Sequence, residues 1–286
     1  NEIPQIEKEI EELDFESYIG RDQTSVQISV HVVKCDSCGA SSTLDPKLKS
    51  ASCPYCATPL IITSAHDELM IQPRSLLPFK IESKEAYSEF IKWVKKLWFA
   101  PGDLKKSSLG TDMFKGIYVP YWTFDSDTST SYTGQRGVHY YVTETYTTTV
   151  NGKSVTKTRQ VRKTRWSFAS GHVKRLFDDV LTVASRSLPE KYIYALEPWD
   201  IENLVPFDEK YLSGFITEKY QIELKPGFEI AKRIMDGVIR QDIRRDIGGD
   251  EQRIFTVSTS HRDITFKHIL LPVYINGLHC CVFNPA

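Results

Sequence analysis

Four cysteines between residues 35 and 56 constrain this chain more than any other feature of its sequence. Cys35 and Cys38 form one Cys-x-x-Cys pair, and Cys53 and Cys56 form a second pair after fourteen intervening residues. Two such pairs at this separation have the ligand count and spacing of a four-thiolate zinc site, in which each pair occupies a tight turn. Gly39 follows the first pair, where such a turn needs a residue that tolerates positive φ. The spacing therefore predicts a zinc ribbon that holds one structural zinc ion.

Two other arrangements of these cysteines stay open from the sequence: a pair of disulfides, and two separate redox motifs. Both require the pairs to act separately, whereas the polar spacer from Ser41 to Lys49 favours a hairpin that brings them together. Four thiolates leave no open position for water, so the predicted role of the zinc is architectural and not catalytic. Of six cysteines in the chain, four are assigned to the metal, and this favours a reducing, cytoplasmic compartment.

Apolar and polar residues downstream repeat in a way that predicts a duplicated body of helices and antiparallel sheet. Residues 114–120 and 266–272 agree at four of seven positions, and each of these stretches reads as a strand after a helix. The first helix begins at Ser83, and its inward face is predicted to comprise Ala86, Phe90, Trp93, Val94 and Leu97. The second helix spans 227–247 and is predicted to stop at Gly248-Gly249, and its predicted inward face comprises Ala231, Ile234, Met235 and Val238.

Together these patterns predict an α+β, β-rich protein made of consecutive segments. The N-terminal residues combine seven acidic side chains with an apolar residue at every third or fourth position, which is typical of an amphipathic helix. The predicted segments are an acidic amphipathic helix and linker (1–25), the zinc ribbon (26–66), a first α+β unit (67–200) and a second α+β unit (201–286).

A long β-hairpin over residues 138–166 is the most unusual segment of the first unit. Asn151-Gly152 is typical of a type I′ turn, and closing the turn there sets Glu144 opposite Arg159. The same register places Tyr146 opposite Lys157 and Tyr140 opposite Lys163, so that one face carries the candidate partner-binding or nucleic-acid-binding residues Tyr140, Tyr146, Lys157, Arg159, Lys163 and Arg165. Neither face is apolar enough to lie on a core, so we expect a projecting arm.

Three interpretations of this hairpin remain open. Eight Lys or Arg and no acid lie between Thr145 and Phe177. Such charges can simply keep a solvated ribbon from aggregating at its edges. They also suit an acidic protein partner, and tyrosines among cations can stack on the bases of a nucleic acid.

No sequence motif for catalysis accompanies these features. The chain has no phosphate-binding Gly-x-x-x-x-Gly-Lys-[Ser/Thr] loop, no Gly-x-Ser-x-Gly elbow and no His-Glu-x-x-His helix. We therefore expect a protein that is not an enzyme and has no small-molecule substrate. Without a signal peptide or an apolar run of about 18 residues, membrane contact is expected only through a partner or through a tail beyond Ala286.

An ordered set of motifs carries a resemblance to a known family. These motifs are the cysteine quartet, Leu77-Pro78-Phe79-Lys80, Gly116-Ile117-Tyr118-Val119-Pro120-Tyr121-Trp122, Phe177-Asp178-Asp179-Val180, Tyr211-Leu212-x-Gly214 and Leu270-Leu271-Pro272-Val273. The chain resembles the bacterial zinc-ribbon proteins often labelled "primosomal protein N′ (replication factor Y), superfamily II helicase-like". The resemblance implies the zinc quartet and these core motifs, but no helicase activity, because the helicase motor is missing from this sequence. Some similar proteins are encoded beside phage-shock-protein-A-like or stomatin-like proteins.

The leading hypothesis is therefore a non-enzymatic zinc-binding scaffold or adaptor that mediates protein–protein interactions in a bacterial membrane-stress complex. It is expected in the cytoplasm, with membrane association in the full-length protein. The alternative is a nucleic-acid-binding module that uses the zinc ribbon and the basic hairpin as a replication or repair accessory.

Overall fold

Strands dominate the part of the protein that the structure describes. The structure is a computed structural model and describes residues 10–20, 27–43, 51–96, 114–276 and 281–284. Within these ranges the strands are β1 (Leu13–Asp14), β2 (Gln27–Lys34), β3 (Ser41–Thr43), β4 (His66–Ile71), β5 (Ser75–Leu76), β6 (Phe114–Val150), β7 (Lys153–Val183), β8 (Val205–Pro206), β9 (Ile216–Glu218), β10 (Glu251–Asn276) and β11 (Cys281–Phe283). The α-helices are α1 (Phe15–Gly20), α2 (Ser83–Lys96), α3 (Glu190–Tyr194) and α4 (Leu224–Ile247).

These strands form one large mixed sheet. Its order is β4-β2-β3-β9-β6-β10-β5-β8, with β7 paired to β6 and with β1 and β11 paired to β10. The expected β-rich fold is confirmed, but the expected antiparallel sheet is wrong in part, because β6 pairs with β9 and β10 pairs with β5 in parallel. Parallel pairing requires a long connection between the strands, and these partners are far apart in sequence.

Two compact units divide the chain, and each is assembled from separate stretches. Unit 1 comprises residues 1–124, 179–231 and 264–286, and unit 2 comprises residues 125–178 and 232–263. The long elements β6, β7, α4 and β10 contribute residues to both units. This division differs from the consecutive segments expected from the sequence, because strands that are distant along the chain pair within one sheet.

Unit 1 contains a core built largely from aromatic and branched side chains. Trp122 is fully buried, and its Nε1 donates a hydrogen bond to the carbonyl of Ile222 at 2.8 Å. Phe15 of α1 packs its ring against Phe124 and Phe228. The polar end of Trp122 is therefore satisfied while its rings contribute apolar burial.

Unit 2 combines parts of three long strands with the C-terminal part of α4. Tyr132 donates to Asp246 at 2.5 Å, and Arg175 lies 3.0 Å from Asp242, so β6 and β7 each contact an aspartate of the helix. The helix ends at Gly248 and Gly249, which have φ values of 65° and 78°. The helix stop predicted at these two glycines is confirmed, since a left-handed residue commonly ends a helix.

Some expectations about the helices are wrong. Leu13 and Asp14 lie opposite Phe266 and Thr265 in a strand, so the predicted N-terminal helix does not cover residues 10–14, and residues 1–9 lie outside the described ranges. In this position β1 satisfies backbone groups at the side of β10, which a helix would not do.

The predicted inward faces of the two longer helices are correct only in part. Trp93 is 50% exposed, because α2 packs through Ala86 and Phe90 against Tyr274. Ile234 is 38% exposed at the border of a buried face that includes Ala231 and Met235. Leu97 and the side chain of Val94 lie outside the described part. Residues 97–113 also lie outside it, so the duplication of the body stays a prediction.

Candidate functional site

The four predicted metal ligands lie together in unit 1. The Sγ atoms of Cys35, Cys38, Cys53 and Cys56 all lie within 4.8 Å of one another. The closest contacts cross between the pairs: Cys35 Sγ is 3.5 Å from Cys56 Sγ, and Cys38 Sγ is 3.5 Å from Cys53 Sγ. A disulfide would require about 2.05 Å, and all four thiols are free. The two cysteine pairs therefore form one cluster that could bind a metal ion.

The chain forms the same tight turn around each cysteine pair, and we call residues 35–40 and 53–58 the first and second knuckles. In the first knuckle, the N–H of Gly39 donates to the carbonyl of Cys35 at 2.8 Å, and in the second the N–H of Ala57 donates to the carbonyl of Cys53 at 3.0 Å. Gly39 has φ of 77° and Ala57 has φ of 60°. The sequence indicates the first of these left-handed residues through its glycine but gives no sign of the second, because alanine rarely adopts this conformation.

Both knuckles are attached to strand β9 of unit 1. Strand β3, which follows the first knuckle, pairs with β9 so that Ser42 lies opposite Glu218. Tyr55 of the second knuckle donates a hydrogen bond from its hydroxyl to Glu218 at 2.5 Å. The buried Cys35 and Cys53 also belong to the same apolar cluster as Ile117 and Ile269. The two knuckles are therefore continuous with the sheet and core of unit 1.

Glu218 is the most unusual ionisable group near the knuckles. Its side chain is fully buried and accepts hydrogen bonds from Tyr55, Ser185, Ser187 and Gln221. Burial raises its pKa to about 7, although the hydroxyl donors oppose the shift. Burial and the adjacent carboxylate also raise the pKa of Tyr55. No local pattern in the sequence selects Glu218, because its partner Tyr55 is 163 residues away.

The donor set agrees with a tetrahedral metal site. Four sulfurs about 2.3 Å from a central ion are about 3.8 Å apart, which is close to the observed contacts between the sulfurs. Thr58 Oγ1 lies 3.2 Å from Cys56 Sγ, and hydrogen bonds to ligating sulfurs orient ligands around a metal. All four ligand positions would be filled by protein, so the site offers no coordination position to a substrate.

A cavity of about 340 Å³ lies beside the second knuckle within unit 1. Its described lining includes Ser52, Pro54, Lys115, Phe215 and Tyr274. The Lys115 ammonium already donates to Ser52 Oγ. This described lining contains a single charged side chain, Lys115, and neither an acid nor a histidine.

The other predicted site residues lie on β6 and β7 in unit 2. We call residues 138–150 and 153–166 the basic ribbon. They are joined by Asn151 and Gly152, which have φ of 52° and 75°, as a type I′ turn requires. Arg159 lies 3.3 Å from Glu144, the partner that the turn predicts. The projection of this ribbon and its binding role stay predictions.

Cations and tyrosines on one face of the basic ribbon contact each other diagonally. Arg159 lies over the ring of Tyr146 at 5.5 Å, and Arg165 lies over the ring of Tyr140 at 5.3 Å. Lys163 lies 3.3 Å from Glu144, and its ammonium and Arg159 both lower the pKa of that carboxyl. Lys157 also lies on β7, and its side chain is exposed.

A comparison with known proteins gives one similarity of note. A protein of Bacillus subtilis (strain 168) described as "Uncharacterized protein YdjG" is 26% identical to this chain over 212 residues. The match covers 72% of this chain and 57% of that relative, so the chain spans little more than half of the relative's length. No family model and no solved structure matches. The resemblance to the replication-factor-Y-like family therefore stays a prediction.

The helices within the described residues do not meet the requirements of a membrane span. A helix needs about 20 predominantly apolar residues to cross a bilayer. None of the helices in the described ranges combines that length with sufficient apolar character.

Proposed function

We propose that this chain is a non-enzymatic scaffold or adaptor whose cysteine knuckles hold one structural zinc ion and whose surface binds protein partners. The observation that carries the proposal is the four-thiolate cluster, whose Cys35 and Cys53 are buried in the core of unit 1 and whose four thiolates leave no coordination position for water or substrate. A metal held in this way stabilises a fold and does not activate a reactant.

Zinc is the ion that best suits these ligands. Tetrahedral sites of four thiolates select zinc or iron, and zinc brings no redox chemistry to a structural site. The knuckles also have the two-residue spacing that structural zinc sites use. When bound, the ion supplies cross-links between the knuckles, while β9 fixes their position through Ser42 and Tyr55.

The adaptor role is supported by the contrast between this closed site and the exposed surface of unit 2. The basic ribbon presents cations and aromatic side chains, which are the residue types that recur in recognition surfaces. The resemblance noted above supports a place in a bacterial membrane-stress complex, in which the chain would join other proteins without turnover.

Elemental analysis of the purified chain tests the metal. We expect about one zinc per chain, and we expect the Cys35→Ser/Cys38→Ser variant to lose it. The matched control is Cys280→Ser/Cys281→Ser, which also removes two thiols but keeps the quartet. Iron in place of zinc, or equal metal content in the two double variants, would contradict the assignment.

Isolation of complexes from the native host tests the adaptor role. We expect a protein partner to copurify in a fixed ratio and to rebind the chain when both are purified. Turnover of a substrate by the chain alone, or a failure of every copurified protein to rebind, would count against an adaptor.

A further inference from the structure

Strand β7 is rich in Lys and Arg and lies at one side of the sheet. Within the described residues β7 pairs with β6 alone, so its second edge presents backbone N–H and C=O groups without a strand partner. All the basic residues between Thr145 and Phe177 are on this strand: Lys153, Lys157, Arg159, Arg162, Lys163, Arg165, Lys174 and Arg175. An edge strand of this kind accepts another strand unless something prevents it.

The alternation of β7 defines a repeated chemical pattern along that edge. Because successive side chains of a strand point to opposite faces, one face presents in order Lys157, Arg159, Val161, Lys163 and Arg165. The pattern is basic, basic, apolar, basic, basic, and it reads the same in both directions. A complementary strand of either polarity would carry acids at alternate positions around one central apolar residue.

The cations on this face are already ordered by their neighbours. The guanidinium groups of Arg159 and Arg165 lie over Tyr146 and Tyr140 at 5.5 and 5.3 Å. Side chains held in this way lose less conformational freedom when a partner binds. Like charges on β7 also disfavour pairing of two copies of this edge, so the same residues that prevent aggregation select an oppositely charged strand.

Glu144 distinguishes an added strand from a polyanion that lies across the face. This carboxylate lies 3.3 Å from both Arg159 and Lys163, so a phosphate chain placed over the face would meet its charge. A strand added beyond β7 lies about 5 Å from β7 and about 10 Å from β6, which carries Glu144. The position of Glu144 therefore favours a protein segment at the edge over a nucleic acid on the face.

We propose that the second edge of β7 binds an extended acidic segment of a partner protein by strand addition. Main-chain hydrogen bonds would supply a general affinity, and alternate acids facing Lys157, Arg159, Lys163 and Arg165 would supply specificity. This proposal rests on the adaptor function and names the chemistry of the segment that the adaptor binds.

Binding of a labelled peptide to the whole, metal-loaded chain tests the proposal. The probe is Glu-Thr-Glu-Thr-Val-Thr-Glu-Thr-Glu, measured by fluorescence anisotropy at low and physiological salt. We expect saturable binding of the peptide. In hydrogen exchange, we expect added protection of backbone amides in residues 153–165 of β7 but not in residues 138–150 of β6. A peptide with the same acids and proline in place of threonine should bind at least about tenfold more weakly, because proline donates no ladder hydrogen bond.

Two variants with the same change of charge separate this edge from general attraction. Replacing Lys157, Arg159, Lys163 and Arg165 by Gln should weaken binding at least about tenfold, since each opposite-charge pair across strands contributes. Replacing Lys84, Lys92, Lys95 and Lys96 of α2 in unit 1 by Gln should leave the affinity for the threonine peptide within about twofold of that of the wild type. Unchanged zinc content and circular dichroism show that each variant folds.

Three results would overturn the proposal. One is the absence of binding by the threonine peptide, and another is equal binding by the proline peptide, which would show attraction without strand addition. The third is tighter binding of a five-nucleotide oligothymidylate with four phosphodiesters than of the threonine peptide, which would assign the surface to nucleic acid. None of these affects the adaptor function itself, which depends on copurification and rebinding of a native partner.

Discussion

The cysteine knuckles and the basic ribbon are both built from tight turns between strands, but they are stabilised in opposite ways. The knuckles combine two buried thiols, a shared apolar cluster and a buried carboxylate on β9. The ribbon depends on a two-residue turn, the pairing of β6 with β7 and contacts between exposed side chains. A change in the knuckles should therefore affect the core of unit 1, whereas a change on the ribbon should leave stability nearly unaltered and affect binding alone. This difference is what the proposed architectural site and the proposed recognition surface require.

Loss of a metal ligand should give the largest effect and the sharpest contrast. In Cys38→Ser the site keeps three thiolates, and we expect the free energy of unfolding to fall by more than about 4 kcal/mol, because metal binding contributes directly to folding. Denaturant unfolding followed by circular dichroism measures this loss. Hydrogen exchange should increase in β2, β3 and β9 and stay unchanged in the basic ribbon. An increase confined to residues 35–40 would show that the knuckles are less integrated with the sheet than their contacts indicate.

Removal of the buried carboxylate should give the next largest effect. Glu218→Ala leaves the hydroxyls of Tyr55, Ser185 and Ser187 without their common acceptor in a buried place, so we expect a loss of about 2–4 kcal/mol. Glu144→Ala on the exposed ribbon is the matched control, and its stability should hardly change. Thermal unfolding of both variants at equal zinc content compares the two acids. Equal losses would contradict the contrast between the two regions.

The pH dependence of stability should report the protonation of the buried Glu218. Burial raises the folded-state pKa of Glu218 to about 7, above its ordinary value of 4.5, so the folded state binds more protons than the unfolded state between these limits. This group therefore stabilises the fold below about pH 4.5, and its contribution is lost as pH rises toward 7. We expect the unfolding free energy of the wild type, relative to Glu218→Gln, to fall by about 1–3 kcal/mol across this window. A difference that is constant with pH would show that Glu218 is ionised throughout.

Exchange of the left-handed residues should give the smallest effect and compare the two knuckles directly. A residue with a Cβ atom costs roughly 1 kcal/mol more than glycine in this conformation. Gly39→Ala should therefore lower the unfolding free energy by about that amount, and Ala57→Gly should raise it by somewhat less, since glycine has more freedom in the unfolded chain. Denaturant midpoints of the two variants check the opposite signs. A loss of stability in Ala57→Gly would mean that its methyl group contributes packing that outweighs the strain.

Features set by neighbouring residues could be predicted from the sequence. The spacing of the cysteines identified the quartet, and Asn151-Gly152 fixed the turn of the ribbon and the pairing of Glu144 with Arg159. The stop of α4 at Gly248 was predicted for the same reason, because these signals depend on local backbone conformation.

Features that depend on burial could not be predicted from local patterns. The exposure of Trp93 followed from where α2 packs, and helical periodicity alone indicated the opposite. The place of Glu218 under the second knuckle depends on the pairing of β9 with β3, and the hydrogen-bond partner Tyr55 is 163 positions away along the chain. No short pattern in the sequence records such a contact.

The sequence by itself determined the cysteine cluster, the turn of the ribbon and its charge, because each arises from residues that are close along the chain. Only the tertiary structure decided that the knuckles continue the sheet through β9, that Glu218 is buried beneath Tyr55, and that β7 has a second edge without a strand partner among the described residues. The physical reason is that strand order and burial depend on the summed packing of distant segments, which local preferences do not specify.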